Sequence, residues 1–230
     1  MARRLNDCGH APLLFNRTAA RAAELEREGV GRAAGSVADV VAASDLIVCV
    51  VAGDDAARAV FSAPVLAAYP GRTVVNMGTI AASTAVELGA QLEAQGAAFL
   101  DAPVSGPPAC ARRGELTILA SGETAALRSA DPVLQMLGST VIHVGECGAG
   151  SSLKAILNRT ARTFITALAA AIDEGTAAGF DADVTYDVLR NSMMASRVLE
   201  ERRDLVMAAR AQPPRASRGH PDERGHRTAP

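Results

Sequence analysis

The stretch SVADVVAASDLIVCVVA, Ser36 to Ala52, decides how the rest of the chain is read. Its first half has a serine where a helix N-cap would stand, followed by residues of helical composition. Its second half, Leu46 to Ala52, is the longest apolar run in the chain. Seven residues are far short of the ~20 that a membrane-spanning helix needs, so the run reads as a buried strand. Helix followed by strand is half of a βαβ unit, and the same alternation recurs on both sides.

Working outward, PLLFN (Pro12–Asn16), RTVVNM (Arg72–Met77), AAFLDAPV (Ala97–Val104), LTILAS (Leu116–Ser121) and TVIHVG (Thr140–Gly145) are short apolar runs of strand length. Between them lie Ala/Glu/Leu/Arg segments of helical composition. Thr18, Ser36 and Ser83 stand where N-caps would be, and Gly29, Gly96 and Gly138 where helices would stop. The pattern predicts an α/β fold, a Rossmann-like, doubly wound, mostly parallel sheet over residues 1–147. From Gly148 the character changes. SSLKAILNRTARTFITALAAAIDEGTAAG predicts one long helix ending near Gly179, DVTYDVLRNS a second, short helix, and SRVLEERRDLVMAARA a third; together they make a partial helical domain over residues 148–211. Residues 212–230, rich in Pro, Arg, Gly and His, lack the apolar content to offset their ordering entropy and are expected to be disordered. Their composition differs so sharply from what precedes that a shifted reading frame is a fair explanation.

The 230 residues carry a net charge of −2 with acidic and basic residues dispersed, and no basic run or aromatic platform that would follow a phosphate backbone. Nucleic acid and membrane are therefore not expected partners. Four separated cysteines (Cys8, Cys49, Cys110, Cys147) without a CxxC pair argue against a metal site and for a reducing cytoplasm. His143 reads as a core or edge histidine, and Cys49 as a small buried hydrophobe. The adjacent Asp173 and Glu174 face different ways on a helix and make no catalytic pair.

A doubly wound nucleotide-binding domain opens with a strand, a glycine-rich turn and a helix, the turn letting backbone N–H groups approach a pyrophosphate. MARRLNDCGHAPLLFNRT instead reads as the helix and then the second strand, so the first strand and the GxGxxG turn are expected to be missing.

FNRT (Phe15–Thr18), NMGTI (Asn76–Ile80), DAPVSG (Asp101–Gly106) followed by GEL (Gly114–Leu116), and GAGSSLKAILN (Gly148–Asn158) occur in order and resemble the successive signatures of the β-hydroxyacid dehydrogenases. This is the family of 3-hydroxyisobutyrate dehydrogenase and tartronate semialdehyde reductase, related to 6-phosphogluconate dehydrogenase. The resemblance covers about Met1 to Ser192 and implies a chain truncated at both ends. It also implies a homodimer built through the long helix and its neighbours.

Of 23 Lys and Arg residues, Lys154 is the single lysine. A solvated surface position would accept arginine equally well. A proton-transferring group would not, because guanidinium stays protonated whereas an amine can shift its pKa when partly buried. Asn158 lies one helical turn on, where its amide could hold a substrate hydroxyl or carboxylate, or be an ordinary polar helix position. The resemblance makes Lys154 and Asn158 the catalytic pair, the lysine exchanging the hydroxyl proton as hydride passes between substrate and nicotinamide.

Ser105 and Gly106 offer a hydroxyl and a backbone N–H at a strand end, a seat for a carboxylate or a plain turn. The resemblance makes them substrate-binding, but it has a further glycine where this chain has Pro107 and Pro108, which donate no N–H. Arg17, after the second strand, favours the phosphate of NADP over NAD, with Asn16 and Thr18 beside it as binding or capping residues. By resemblance Thr79 sits near the nicotinamide, and Val51 and Ala52 end the strand on which the cofactor lies. The family often has proline at the position of Ala52 and serine at that of Gly78. The sequence thus reads as an NADP- or NAD-dependent oxidoreductase acting on a small β-hydroxy acid or its semialdehyde. The alternatives are a non-catalytic truncated member whose missing central strand leaves two open sheet edges, or an imine reductase, against which DAPVSG and Lys154 argue.

Overall fold

In β3 (Leu46–Cys49), β4 (Thr73–Asn76) and β5 (Ala98–Asp101), side chains alternate between two cores. Ile47, Val74 and Phe99 enter one core, while Val75 and Leu100 enter the other. A sheet buried on both faces in this way needs helices on both sides, which the alternation of elements supplies. The computed structural model describes residues 1–61 and 70–210.

The chain opens with α1 (Ala2–Asp7), β1 (Leu13–Leu14), α2 (Ala19–Arg27), β2 (Arg32–Ala33) and α3 (Val37–Ala42). β1 and β2 pair in parallel as a small sheet of their own. β3, followed by α4 (Asp54–Val60), starts the larger sheet; β3, β4 and β5 pair in parallel, with α5 (Ala82–Glu93) joining β4 to β5. After Asp101 the strand breaks at Ala102 and Pro103 and resumes as β6 (Val104–Ser105). Both pieces run antiparallel to one edge of β7 (Leu116–Gly122) in a single unbroken register, with α6 (Pro108–Arg113) in the turn. β7 then continues through α7 (Thr124–Leu137) to β8 (Gly138–His143), which pairs with its other edge in parallel. The sheet is therefore mixed rather than parallel throughout: parallel pairings dominate, and β7 runs against β5 and β6.

One core holds Phe61 and Phe99 edge to face at 6.4 Å, with Leu88 and Leu92 of α5. The other packs Leu134 and Leu137 of α7 against Leu100, Leu116 and Ile118, with Leu5 of α1 at its margin. Two caps differ from expectation. Ser36 does cap α3, accepting the Asp39 N–H at 3.1 Å. Ser83 is the second residue of α5, whose N-cap is Ala81, because the chain enters that helix two residues earlier than the serine. Thr18 occupies the N-cap of α2 without a side-chain cap bond; the side chain of Asn16 accepts the Thr18 N–H at 2.9 Å instead. Gly29 follows α2 and Gly138 follows α7 as expected, Gly138 being extended and also the first residue of β8.

The chain forms two compact units, Met1–Leu157 and a second beginning at Asn158. The helix α8 (Ala149–Ala177) carries both residues, stopping two residues before Gly179. In the second unit, Leu168 and Ile172 of α8 pack with Tyr186 of α9 (Ala182–Arg190), Leu199 of α10 (Arg197–Glu201) and Val206 of α11 (Arg203–Ala209). The Tyr186 hydroxyl donates to the Leu199 carbonyl, and Arg203 stacks over the tyrosine ring at 5.3 Å. The single helix expected over SRVLEERRDLVMAARA is two, broken at Arg202, where φ is −132°. The expected disorder of residues 212–230 lies outside the described residues.

Candidate functional site

The carboxyl ends of β3 and β4 are tied together beyond the sheet. Ala52 and Thr79 form a parallel bridge, the Gly53 N–H donates to the Thr79 carbonyl at 3.1 Å, and the Met77 N–H to the Cys49 carbonyl at 2.8 Å. This closeness explains Gly78, which the resemblance matched to a serine: a Cβ there would be driven into the carbonyl oxygen of Val51. The Asn76 side chain accepts the Gly78 N–H at 3.3 Å and holds the turn. Ala52 and Thr79 are left exposed at the strand ends, with Val51 half-buried. Open α/β sheets collect ligands at this edge.

Asn16, Arg17 and Thr18 are exposed where β1 leads into α2. Among the described residues no acid pairs with Arg17. Asn16 also lines a cavity of about 1100 Å³ together with Leu13, Leu14, Ile47 and Val48. Among the described residues β1 pairs only with β2 and β3 only with β4, so the cavity is bordered by two strand edges with no described strand between them.

The second part of the site is built around Asp101, fully buried at the end of β5. Its Oδ2 accepts the Ser151 N–H at 2.8 Å and its Oδ1 the Ser151 hydroxyl at 2.9 Å. Ser121 of β7 donates to the Asp101 carbonyl at 3.0 Å and accepts the Gly150 N–H at 2.9 Å. The first turn of α8 is thus satisfied by two side chains of the sheet, as helix N-termini require. Burial pushes the Asp101 carboxyl above its ordinary value, against the pull of its hydrogen bonds from Ser151, Asn76 and Ser121.

Lys154 follows one turn later, half-buried. Desolvation lowers its amine below the ordinary 10.5, and among the described residues no side chain or carbonyl engages Nζ. Asn158, on the same helix, is exposed. Ser105 is half-buried in β6, opposite Thr117, and Gly106 is exposed beyond it at φ +138°. Pro107 and Pro108 form the N-cap and first position of α6, where a missing N–H leaves no helical bond unmade. Asp101 links the two motifs: one arm of DAPVSG runs on to Ser105, while its carboxylate holds the helix of Lys154. Asp101, Ser121 and Ser151 were not singled out by sequence. Their signal was present, in an acid before Ala-Pro that could not be both solvated and inside an apolar run.

The remaining candidates are structural. His143 Nε2 lies 2.9 Å from the Gly122 carbonyl on the edge strand. Burial pushes the Cys49 thiol up to about 12 and, with Asp101 and Glu93 nearby, Cys147 to about 11, so neither offers a thiolate at neutral pH. Among the described residues no group of three or more His, Cys, Asp or Glu could hold a metal ion, and no helix is long and apolar enough to cross a membrane.

The structure is a mixed α/β, Rossmann-like sheet with exposed loops at its strand ends, followed by a helical segment. Residues 1–145 match the family described as the NAD binding domain of 6-phosphogluconate dehydrogenase. The chain belongs to the β-hydroxyacid dehydrogenase family. It is 27% identical over 208 residues to the cytokine-like nuclear factor N-PAC of Homo sapiens, covering 89% of this chain and 37% of that protein. It is 39% identical over 137 residues to the L-threonate dehydrogenase of Cupriavidus necator, covering 59% of this chain and 46% of that enzyme. The crystal structure of 3-hydroxyisobutyrate dehydrogenase from Salmonella typhimurium superimposes with a TM-score of 0.81 at 33% identity, covering 92% of this chain and 75% of that one. The chain thus spans less than half the length of these two curated relatives.

Proposed function

We propose that the chain is a nicotinamide-dependent oxidoreductase of the 3-hydroxyisobutyrate dehydrogenase type, acting on a small β-hydroxy acid or its semialdehyde. The observation that carries this reading is Lys154: the single lysine, half-buried, unpaired among the described residues, with an amine that desolvation makes easier to deprotonate.

The residues present fit a dinucleotide in the following way. Arg17, uncommitted at the end of β1, would take the 2′-phosphate of NADP, with Asn16 and Thr18 beside it. Val51, Ala52 and Thr79 would line the nicotinamide end, where Gly78 lets the two loops close up. The bound nicotinamide supplies hydride acceptance or donation at the substrate carbinol carbon. Lys154 Nζ takes the hydroxyl proton as the alcohol becomes a carbonyl, and returns it from the ammonium in the reverse direction. Asn158 holds the substrate oxygen, and Ser105 and Gly106 hold its carboxylate. The exposed Leu153, Ile156 and Leu157 on α8 supply an apolar face for a homodimer.

Titration calorimetry of the purified chain with NADPH and NADH tests the reading. Micromolar binding with NADPH preferred, and the preference lost in Arg17→Ala, supports it. No binding by the folded chain favours the second reading, a non-catalytic family member. The cavity between the open edges of β1 and β3 is the observation in favour of that alternative. DAPVSG and Lys154 continue to argue against an imine reductase.

A further inference from the structure

A fully buried carboxylate is an expensive way to begin a helix. Serine, threonine or asparagine satisfies the free N–H groups of a first turn at less desolvation cost, and burying an ion opposes folding by several kcal/mol unless its lone pairs are filled. Here they are filled from three elements. Asn76 of β4 donates to Oδ1 at 3.4 Å, Ser121 of β7 to Oδ2 at 3.3 Å, and Ser151 of α8 to both oxygens. The carboxylate therefore does more than fill one vacancy at a helix end: it ties the first turn of α8 to two strands of the sheet at once. Gly150 removes the remaining slack. A Cβ at that position would collide with the Leu119 carbonyl and stand 2.9 Å from the Asp101 carbonyl, so the helix backbone rests directly on β7 and β5.

The consequence falls on Lys154. It follows Ser151 by three residues, so it lies on the same side of the helix and about 4.5 Å further along its axis. Nζ has no partner among the described residues to hold it independently. Its position is thus inherited from the first turn of α8.

We propose that Asp101 is a positioning residue for Lys154, fixing through Ser151 the place and the surroundings of the amine. This rests on the reading of Lys154 as the proton-transfer group. It joins two sequence motifs, DAPVSG and GAGSSLK, into one mechanical unit. One end seats the substrate at Ser105 and Gly106, and the other presents the amine, with Asp101 setting both in register.

Because Lys154 is the only lysine, reductive methylation with ¹³C-formaldehyde labels one side chain besides the N-terminus, and its NMR signal can be titrated without any cofactor or turnover. Asp101→Ala, Ser151→Ala and the conservative Asp101→Asn are compared with Ser36→Ala, which weakens a distant helix cap. Asp101→Ala and Ser151→Ala are expected to move the lysine signal and raise its titration midpoint toward that of an exposed amine. They should lower kcat by about 10- to 100-fold with the cofactor KM unchanged. Asp101→Asn, which keeps an acceptor for the Ser151 N–H, should retain most of both, and Ser36→Ala should alter neither. A folded Ser151→Ala whose lysine shift and midpoint equal those of Ser36→Ala, alongside an Asp101→Ala that either does the same or does not fold, overturns the proposal. The functional reading is judged separately. If Lys154→Ala leaves turnover intact while Asp101→Ala moves the lysine signal, the positioning stands and the proton-transfer role falls.

Discussion

The amine of Lys154 sits in a half-dry site that disfavours its charged form, which sets the sign of its effect on stability. Its folded-state pKa lies below 10.5, so its contribution is fully present above pH 10.5 and is lost as pH falls through the folded value. At pH 7 the lysine works against the fold. Lys154→Met, which keeps the length and removes the charge, is expected to raise the melting temperature by a few degrees at most at pH 7, with no difference near pH 10.5. The same substitution should reduce turnover by about 10²- to 10⁴-fold if the amine transfers the proton. A melting curve that drops at pH 7 would show that the ammonium has a partner. Gly78 makes the opposite kind of demand. Gly78→Ser restores the residue that the family pattern suggests, yet its Cβ meets the Val51 carbonyl, so we expect a loss of about 1–3 kcal/mol in urea unfolding. The choice of lysine over arginine at position 154 was visible in the sequence because residue usage is a chemical decision. The glycine at 78 looked like a mild departure because the approach of a distant carbonyl leaves no local trace in the chain.

Single elements were read well where a local rule governs them. Ser36 precedes a helix and caps it; Ser36→Ala should cost about 1 kcal/mol, read from chemical denaturation. Ser83→Ala should be close to neutral, because the serine lies inside α5 and makes no cap. Equal losses for the two would contradict the cap assignment. The run of apolar strands was equally plain, since burial on both faces leaves long hydrophobic stretches. The direction of β7 was not. An apolar run states that a strand is buried but not which way its neighbour runs, and the hairpin from β5 through β6 to β7 depends on a turn that Pro107 and Pro108 begin as a helix. The break at Arg202 escaped for a related reason. Residues of good helix propensity surround it, and packing of Leu199 and Val206 into one core, rather than any breaker residue, decides that two short helices form.

For the first unit as a whole, the decisive feature is the pair of open edges. Among the described residues one edge each of β1 and β3 has no strand partner, and these edges border an apolar cavity of about 1100 Å³; such edges template pairing with other chains. That a sheet edge is open was inferable from the order of the motifs. Its division into a two-stranded and a six-stranded sheet was not, because it depends on which strands find partners in space. Association through these edges should rise with concentration and be independent of the apolar face of α8. Val50 offers a test, since it follows β3, lines the cavity and is 56% exposed, so a charge there removes little packing. Val50→Lys is expected to suppress concentration-dependent self-association in sedimentation velocity at tens of micromolar while leaving the melting temperature within a degree or two of the parent. Ile156→Lys on α8 would leave that association in place and instead weaken any dimer formed through the long helix. Should Ile156→Lys alone abolish self-association, the open edges are not where copies of this chain meet, and the helix face is.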